Sequence, residues 1–269
     1  MHTTVHGAEP HRNRLLGALP EAQRQCWFEH LEPVHLHAGQ VLFEAGSTPA
    51  FVYFPTTAVV SLMSMTRDGA SAELAAVGHE GVVGIALFMG GNAMPSRAVV
   101  QASGQALRLR APALATGLQR GGPLLAMLLR YTQALIAHVA QTALCNRFHS
   151  IDQQLCRRLL LGLDRADSHE LAMTQEGVAS LLGVRREGVT AAALKLQHAG
   201  AIRYQRGHIR VLDRAQLEHG ACECYASARN EYERLLPRPQ PRPQPQPRPQ
   251  PRPPRAPAPQ WAGALSMAG

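Results

Sequence analysis

The sequence predicts an α+β chain: a β-roll of the jelly-roll kind, then one long helix, then a winged helix-turn-helix. Three observations predict it. Residues 33–114 break into short apolar runs (41–43, 51–54, 59–63 and 98–100) separated by Gly, Pro, Asp and Ser, the texture of short strands at regular spacing. From 123 to 148 the apolar period lengthens to three and four residues, which is helical. Between 174 and 211 two short helical patterns meet at a glycine and run into alternating apolar and polar residues.

Taken in order, residues 1–12 are polar and expected to be loose. Residues 13–31 predict one or two short helices, carrying Leu15, Leu16 and Leu19 and then Cys26, Trp27 and Leu31 around Pro20. They open a β-roll domain assigned to 13–122, within which Arg67-Asp68-Gly69 sits between two apolar runs as a hairpin signal. The helix 123–148 begins with Pro123, which suits a first helical turn. Its apolar stripe is broad enough to face both the β-roll and a second copy of the chain, and Leu125, Leu128, Thr132, Leu135 and Val139 are the expected dimer face. Residues 149–220 form the third domain, opening with an amphipathic helix over 151–165 and a polar loop to 170. A helical extension is expected over 221–236. The tail 237–269 holds twelve of the chain's twenty prolines; each lacks a backbone donor, so the tail is expected to be a disordered, polyproline-like Pro/Arg/Gln run.

The third domain carries the chemistry. Thr174 can cap a helix over 175–182, with Glu176 near its positive end. Gly183 supplies the permissive backbone of a sharp turn. A second helix runs from 185 to 198 with Val189, Ala192, Ala193 and Leu196 inward, and Gly200 ends it. This is the plan in which the second helix enters the major groove of duplex DNA. Its exposed start offers Arg185, Arg186, Glu187, Gly188 and Thr190. An arginine fork can hold a guanine edge and a carboxylate can accept from cytosine, while glycine leaves room for close approach. The residues from Ile202 to Val211 read as a hairpin wing whose outward Arg203, Arg206, His208 and Arg210 suit phosphates. With Thr174 and Lys195 these make up the expected DNA-contacting set.

Charge supports this locally. The chain is +8 overall, but five arginines in 237–269, with no acid beside them, leave 8 − 5 = +3 for residues 1–236. Residues 185–210 alone carry six cations against Glu187, which is +5. The five cysteines are odd in number and imply no disulfide framework. Cys222 and Cys224 alone do not complete a zinc site and read as structural thiols; His35 and His37 read as ordinary strand residues. No metal, cofactor or catalytic residue is expected. No His/carboxylate triad of a jelly-roll enzyme is found. Without a leader pattern or a long uncharged apolar stretch, the expected compartment is the cytoplasm.

On Thr174-Gln175-Glu176, Leu182-Gly183-Val184, Arg186-Glu187-Gly188-Val189-Thr190, Leu196, Gly200 and the hairpin to Val211, the chain resembles the Crp–Fnr superfamily of bacterial transcription regulators. The resemblance covers about residues 14–220. It implies a cyclic-nucleotide-binding-like β-roll, a homodimer joined by the long helix, and DNA contact from Arg186 and Glu187. A second arginine, four residues after that glutamate in many members, is Ala191 here. Cyclic-nucleotide binders carry Gly-Glu-Leu and then Arg-Ser or Arg-Thr before Ala. This chain has Gly84-Ile85-Ala86-Leu87 and Pro95-Ser96-Arg97-Ala98. A one-residue displacement in a strand turns the arginine to the other face, so no cyclic nucleotide is expected. Only Cys26 stands where the iron–sulfur branch carries a cysteine cluster, so that cofactor is not expected either. The expected partners are duplex DNA, a second copy and RNA polymerase, with the effector unidentified and no membrane. The competing reading is a small-molecule or redox sensor with no DNA output.

Overall fold

The computed structural model describes residues 9–119, 121–166 and 168–236. The proline-rich tail and the first eight residues lie outside them. Residues Pro10–Arg12, expected to be loose, form a 3-10 turn. Its reason is Asn13, which is fully buried. The Asn13 carboxamide oxygen accepts from the amides of Leu15 and Leu16, capping α1 (Arg14–Gly17). Its nitrogen donates to the carbonyls of Pro55 and Gly81 at 2.9 and 2.8 Å. One side chain thus caps a helix and stitches it to the roll.

After α2 (Glu21–Phe28) come β1 (Glu32–Leu36), β2 (Val41–Phe43), β3 (Phe51–Pro55), β4 (Val59–Met65), β5 (Ser71–Val77), β6 (Arg97–Ala102) and β7 (Gly104–Arg110). They make two antiparallel sheets, ordered β1-β7-β3 and β2-β6-β4-β5. A short α3 (Ala86–Met89) lies between β5 and β6. The strand-like texture that runs to residue 114 overshoots, because α4 (Ala111–Gln119) is a helix. Pro112 is tolerated in its first turn. Gly117 is needed there, since a Cβ would lie 2.1 Å from the Trp27 ring.

α5 (Pro123–Phe148) has 26 residues and spans about 39 Å. It is long and apolar enough by length and composition to cross a membrane, but one face of it is core: Leu124, Met127, Leu128, Tyr131 and Leu135 pack with the β-roll. This corrects the expected dimer face. Leu128, Thr132 and Leu135 are buried inside their own chain, and Val139 packs against the same core. The exposed residues of α5 are different ones, among them Ala126, Leu129, Gln133, Ile136, Ala140 and Ala143, with Arg130 beside them and Leu144 to Phe148 exposed toward the C-terminal end apart from Cys145.

A second core is built by α6 (Ile151–Leu163), α7 (Gln175–Leu182), α8 (Arg186–His198) and a three-stranded sheet of β8 (Glu170–Ala172), β10 (His208–Val211) and β9 (Ile202–Gln205) in that order. Ser150 and Gln153 form a reciprocal capping box at the start of α6. β8 falls where a loop was expected; three residues with only Leu171 inward give no period to detect. After α9 (Arg214–Gly220), α10 (Cys224–Leu235) returns to α5 and places Tyr232 and Leu236 in the first core.

The two halves meet chiefly through α6 and the turn just after it. Arg158 reaches Glu73 of β5 at 3.0 Å, and Arg165 reaches Glu80 at 2.7 Å, all four side chains nearly or fully buried. Ser61 and Gln101 add hydrogen bonds to the first pair. Arg165 also donates to the Leu161 carbonyl. Burial is the strongest influence and works to raise the Glu80 carboxyl, but Arg165, the charge of His79 and the backbone amides of Glu80 and Gly78 together hold it below its ordinary value. The start of β5 also touches the second half, with Ser71 and Ser180 hydroxyls 2.8 Å apart.

Two stability outcomes are expected. Glu80→Gln leaves Arg165 buried beside no carboxylate and should cost about 3–5 kcal/mol, measured by urea unfolding. His138, buried against Tyr232, is held well below its usual range by burial and by the charges of Arg165, Arg157 and Arg158. The unfolded chain takes up a proton near pH 6.5 that the folded chain refuses, so stability should fall as pH drops below about 6.5, by up to about 1.4 kcal/mol per unit. His138→Gln should remove that part of the slope in unfolding curves taken across this range.

Candidate nucleic-acid interface

The turn between α7 and α8 forms as the residues dictate. Thr174 Oγ1 accepts from the Gly177 amide at 3.0 Å, capping α7. Gly183 takes the left-handed conformation with φ 66°, and a Cβ there would press on Ala72. α8 then opens on Arg186, with Arg185 as its extended N-cap. Arg185, Arg186 and Glu187 are all exposed.

At about 100° per residue, the exposed face of α8 centres on Glu187, Ala191, Leu194 and His198. Arg186 and Thr190 lie along one edge. Thr190 donates to Gln175 Oε1 at 2.8 Å and is also within reach of the Arg186 carbonyl, which ties the two helices together. Arg186, Gln197, Tyr204, Arg206, Gly207 and the start of α7 at Thr174 line one cleft of about 500 Å³ between the helices and the wing. Tyr204 donates to the Met173 carbonyl at 2.9 Å, and its amide donates to Gln197 Oε1. Burial raises the Tyr204 phenol, with the charge of Arg186 acting against it.

The wing turns in two residues. Gln205 pairs with His208, and Arg206 and Gly207 both have positive φ, 48° and 81°. That is the hairpin turn whose twist matches the strands. Glycine adopts it freely, whereas arginine does so at a cost. Arg203 and Arg206 are exposed; His208 is exposed too, but its Nδ1 lies 3.1 Å from Glu170 of β8.

Two expected site residues are placed otherwise. Gly188 does not face a groove: a Cβ there would stand 2.6 Å from Ile151 Cδ1, so the glycine lets α8 pack close on α6. Lys195 lies on the same side and makes an exposed ion pair with Asp152 at 2.7 Å. Both corrections follow from seven-residue spacing, which returns a helix to nearly the same direction. Leu194, 46% exposed, escapes sequence reasoning as a surface residue, because an apolar residue at helical spacing looks like core until its neighbours are known. In the β-roll, Ala98 and Val100 point inward while Arg97 faces out and pairs with Glu44 at 3.2 Å.

Comparison with known proteins places this geometry. A family model described as a Crp-like helix-turn-helix domain matches residues 153–219, and a cyclic nucleotide-binding domain matches residues 33–120. The chain belongs to the Crp–Fnr superfamily. With a Crp-like helix-turn-helix behind a cyclic nucleotide-binding domain, it is a DNA-binding transcription regulator. No curated protein sequence matches it. Among solved structures, it is similar to FixK2 from Bradyrhizobium japonicum at 17% identity and TM-score 0.60, over 71% of this chain and 98% of that one. It is also similar to a CRP-family transcriptional regulator from Thermus thermophilus, at 18% identity and TM-score 0.58 over 70% and 96%. The regulator CLP of Xanthomonas campestris, described as responsive to c-di-GMP, matches at 16% and 0.57 over 71% and 99%. At these identities the structures share a fold with this Crp–Fnr chain.

The wing offers a separating test. Arg206→Asn should raise stability by up to about 1 kcal/mol, since asparagine accepts the left-handed backbone. The same variant should weaken binding to any duplex. Thermal melts and fluorescence anisotropy on one preparation read both.

Proposed function

We propose that this chain binds duplex DNA sequence-specifically as a homodimer, in the cytoplasm, with RNA polymerase as the machinery it addresses and no catalytic role. The observation that carries the reading is the cleft shared by Arg186, Thr174, Tyr204 and Arg206, beside an exposed helix face that presents Glu187. A carboxylate next to phosphates is repelled unless it accepts from a base, so Glu187 reads a cytosine and Arg186 a guanine. Ala191 and Leu194 on the same face suit thymine methyl groups. Arg185, Arg203, Arg206 and the Thr174 end of α7 hold phosphates, which set register. Lys195 and His208 stand on the rim, each already paired with a carboxylate.

Dimer formation is supported by α5. Six of its exposed residues, Ala126, Leu129, Gln133, Ile136, Ala140 and Ala143, recur at alternating steps of three and four, the spacing of a two-stranded coiled-coil seam. Leu129 and Ile136 are 52% and 61% exposed in the single chain. Small alanines let the helices approach closely. Leu125 flanks this seam. In the β-roll, an outward Arg97 and an isoleucine at position 85 replace the arginine and glutamate that cyclic-nucleotide binders carry between Gly84 and Ala98, so the domain answers to something other than a cyclic nucleotide.

The experiment is a binding isotherm on promoter DNA at several salt concentrations. Binding should weaken steeply with salt, and unchanged binding across salt would reject the reading. Arg186→Ala and Glu187→Ala should each lose about 1–3 kcal/mol of discrimination between cognate and scrambled duplexes. Arg206→Ala should weaken both alike and reduce the salt slope by about one. Ile136→Glu should shift sedimentation to the monomer and abolish tight binding.

A further inference from the structure

The fold gathers four potential ligands that lie far apart in sequence. Cys145 sits in the last turn of α5, and His149 is the residue that caps it, its amide donating to the Cys145 carbonyl. Cys222 and Cys224 flank Glu223 at the entry to α10, where the Tyr225 amide closes the turn on the Cys222 carbonyl. The three sulfurs form a small cluster of their own, apart from both main cores. Cys145 and Cys224 are fully buried and Cys222 is 5% exposed.

The distances fit one ion. Cys145 Sγ and Cys222 Sγ lie 3.5 Å apart, and Cys224 Sγ lies 3.4 Å from His149 Nδ1. One ligand atom from each of the four lies within 4.8 Å of all the others. For bonds of about 2.3 Å to sulfur and about 2.0 Å to nitrogen, the edges of a tetrahedron are about 3.8 and 3.5 Å. A multi-iron cluster stands between its ligands and would hold them further apart. We propose that Cys145, His149, Cys222 and Cys224 form a Cys₃His site for a single zinc ion.

The surroundings match that chemistry. A metal-bound histidine usually gives its other ring N–H to a carboxylate, and His149 Nε2 lies 3.3 Å from Glu223 Oε1. Gln141 donates to Cys224 Sγ at 3.0 Å, the bond expected toward a thiolate. Three thiolates and one Zn²⁺ leave a single negative charge, and buried Arg157, whose charge is felt at Cys145, offsets it. On binding, three thiol protons pass to solvent and four bonds to zinc form, with no change of oxidation state. Four protein ligands close the shell, so the site is structural. It staples α10 to the end of α5, one residue before Ser150 starts α6, at the joint between the long helix and the DNA-binding half.

The test is the metal content of the full chain, purified reducing and without an affinity tag, by plasma mass spectrometry. Cobalt titration of the chelator-stripped protein then follows the thiolate–cobalt absorption. About one zinc per chain is expected, with a tetrahedral cobalt spectrum and a lower melting temperature after chelation. Cys222→Ser and His149→Ala should lose the metal, His149→Cys should restore it, and Cys156→Ser should keep it. Glu223→Gln, which removes no ligand, should weaken zinc affinity about tenfold or more; it decides the matter even if the cysteine variants fail to fold. The proposal is overturned by wild-type protein that takes up neither zinc nor cobalt, by an iron chromophore, by a Cys145–Cys222 disulfide in protein kept reduced, or by equal metal loss in Cys156→Ser.

Discussion

Much of what orients α8 passes through two buried ion pairs, one from Arg158 on α6 and one from Arg165 just past its end, while α7 also touches β5 directly through Ser180. Arg158 and Arg165 leave the DNA-binding core to meet Glu73 and Glu80 of the β-roll. Charges taken out of water are costly unless matched with good geometry, so the joint tolerates few intermediate positions. The guanidinium groups are met by a carboxylate and further acceptors at Gln101 and Leu161, which spreads the match over several bonds. The attitude of α7 and α8 relative to α5 is therefore set by electrostatic registration as much as by apolar packing.

What that joint presents to solvent is asymmetric. One edge of α8 meets the cleft through Arg186 and the start of α7 through Thr190. The other packs on α6 through Gly188 and Lys195. Between them lie Glu187, Ala191 and Leu194, a face that is mostly uncharged. The charges stand around it and are mixed in sign: Arg186 and Arg206 line the cleft together with Glu176, and Lys195 and His208 are each paired with a carboxylate.

The winged helix was legible because its signals are local: a cap at Thr174, glycines at 183 and 200, and two-residue alternation around Arg206-Gly207. The long helix was legible by period, but its partition into inward and outward faces was not. Apolar residues occur nearly all round α5, and only the β-roll decides that Leu128 and Leu135 face home while Leu129 and Ile136 do not. β8 and α4 were missed because three residues and a proline-led turn carry little periodic information. Gly188 shows a subtler failure, since a glycine speaks of close approach without naming what approaches. The four zinc ligands were invisible as a set, because sequence separation hides what α10 accomplishes by returning to α5.

That return has a consequence for how the protein can change over time. α5 carries core side chains on one flank, an outward seam on another, the His138 contact to Tyr232 midway, and Cys145 and His149 at its end. Much of its circumference is engaged within the chain. Substitutions on the exposed face of α8, at Glu187, Ala191 or Leu194, leave α5 untouched. The rod between α8 and the β-roll admits little drift, and innovations on either side must be made compatible with the same rod.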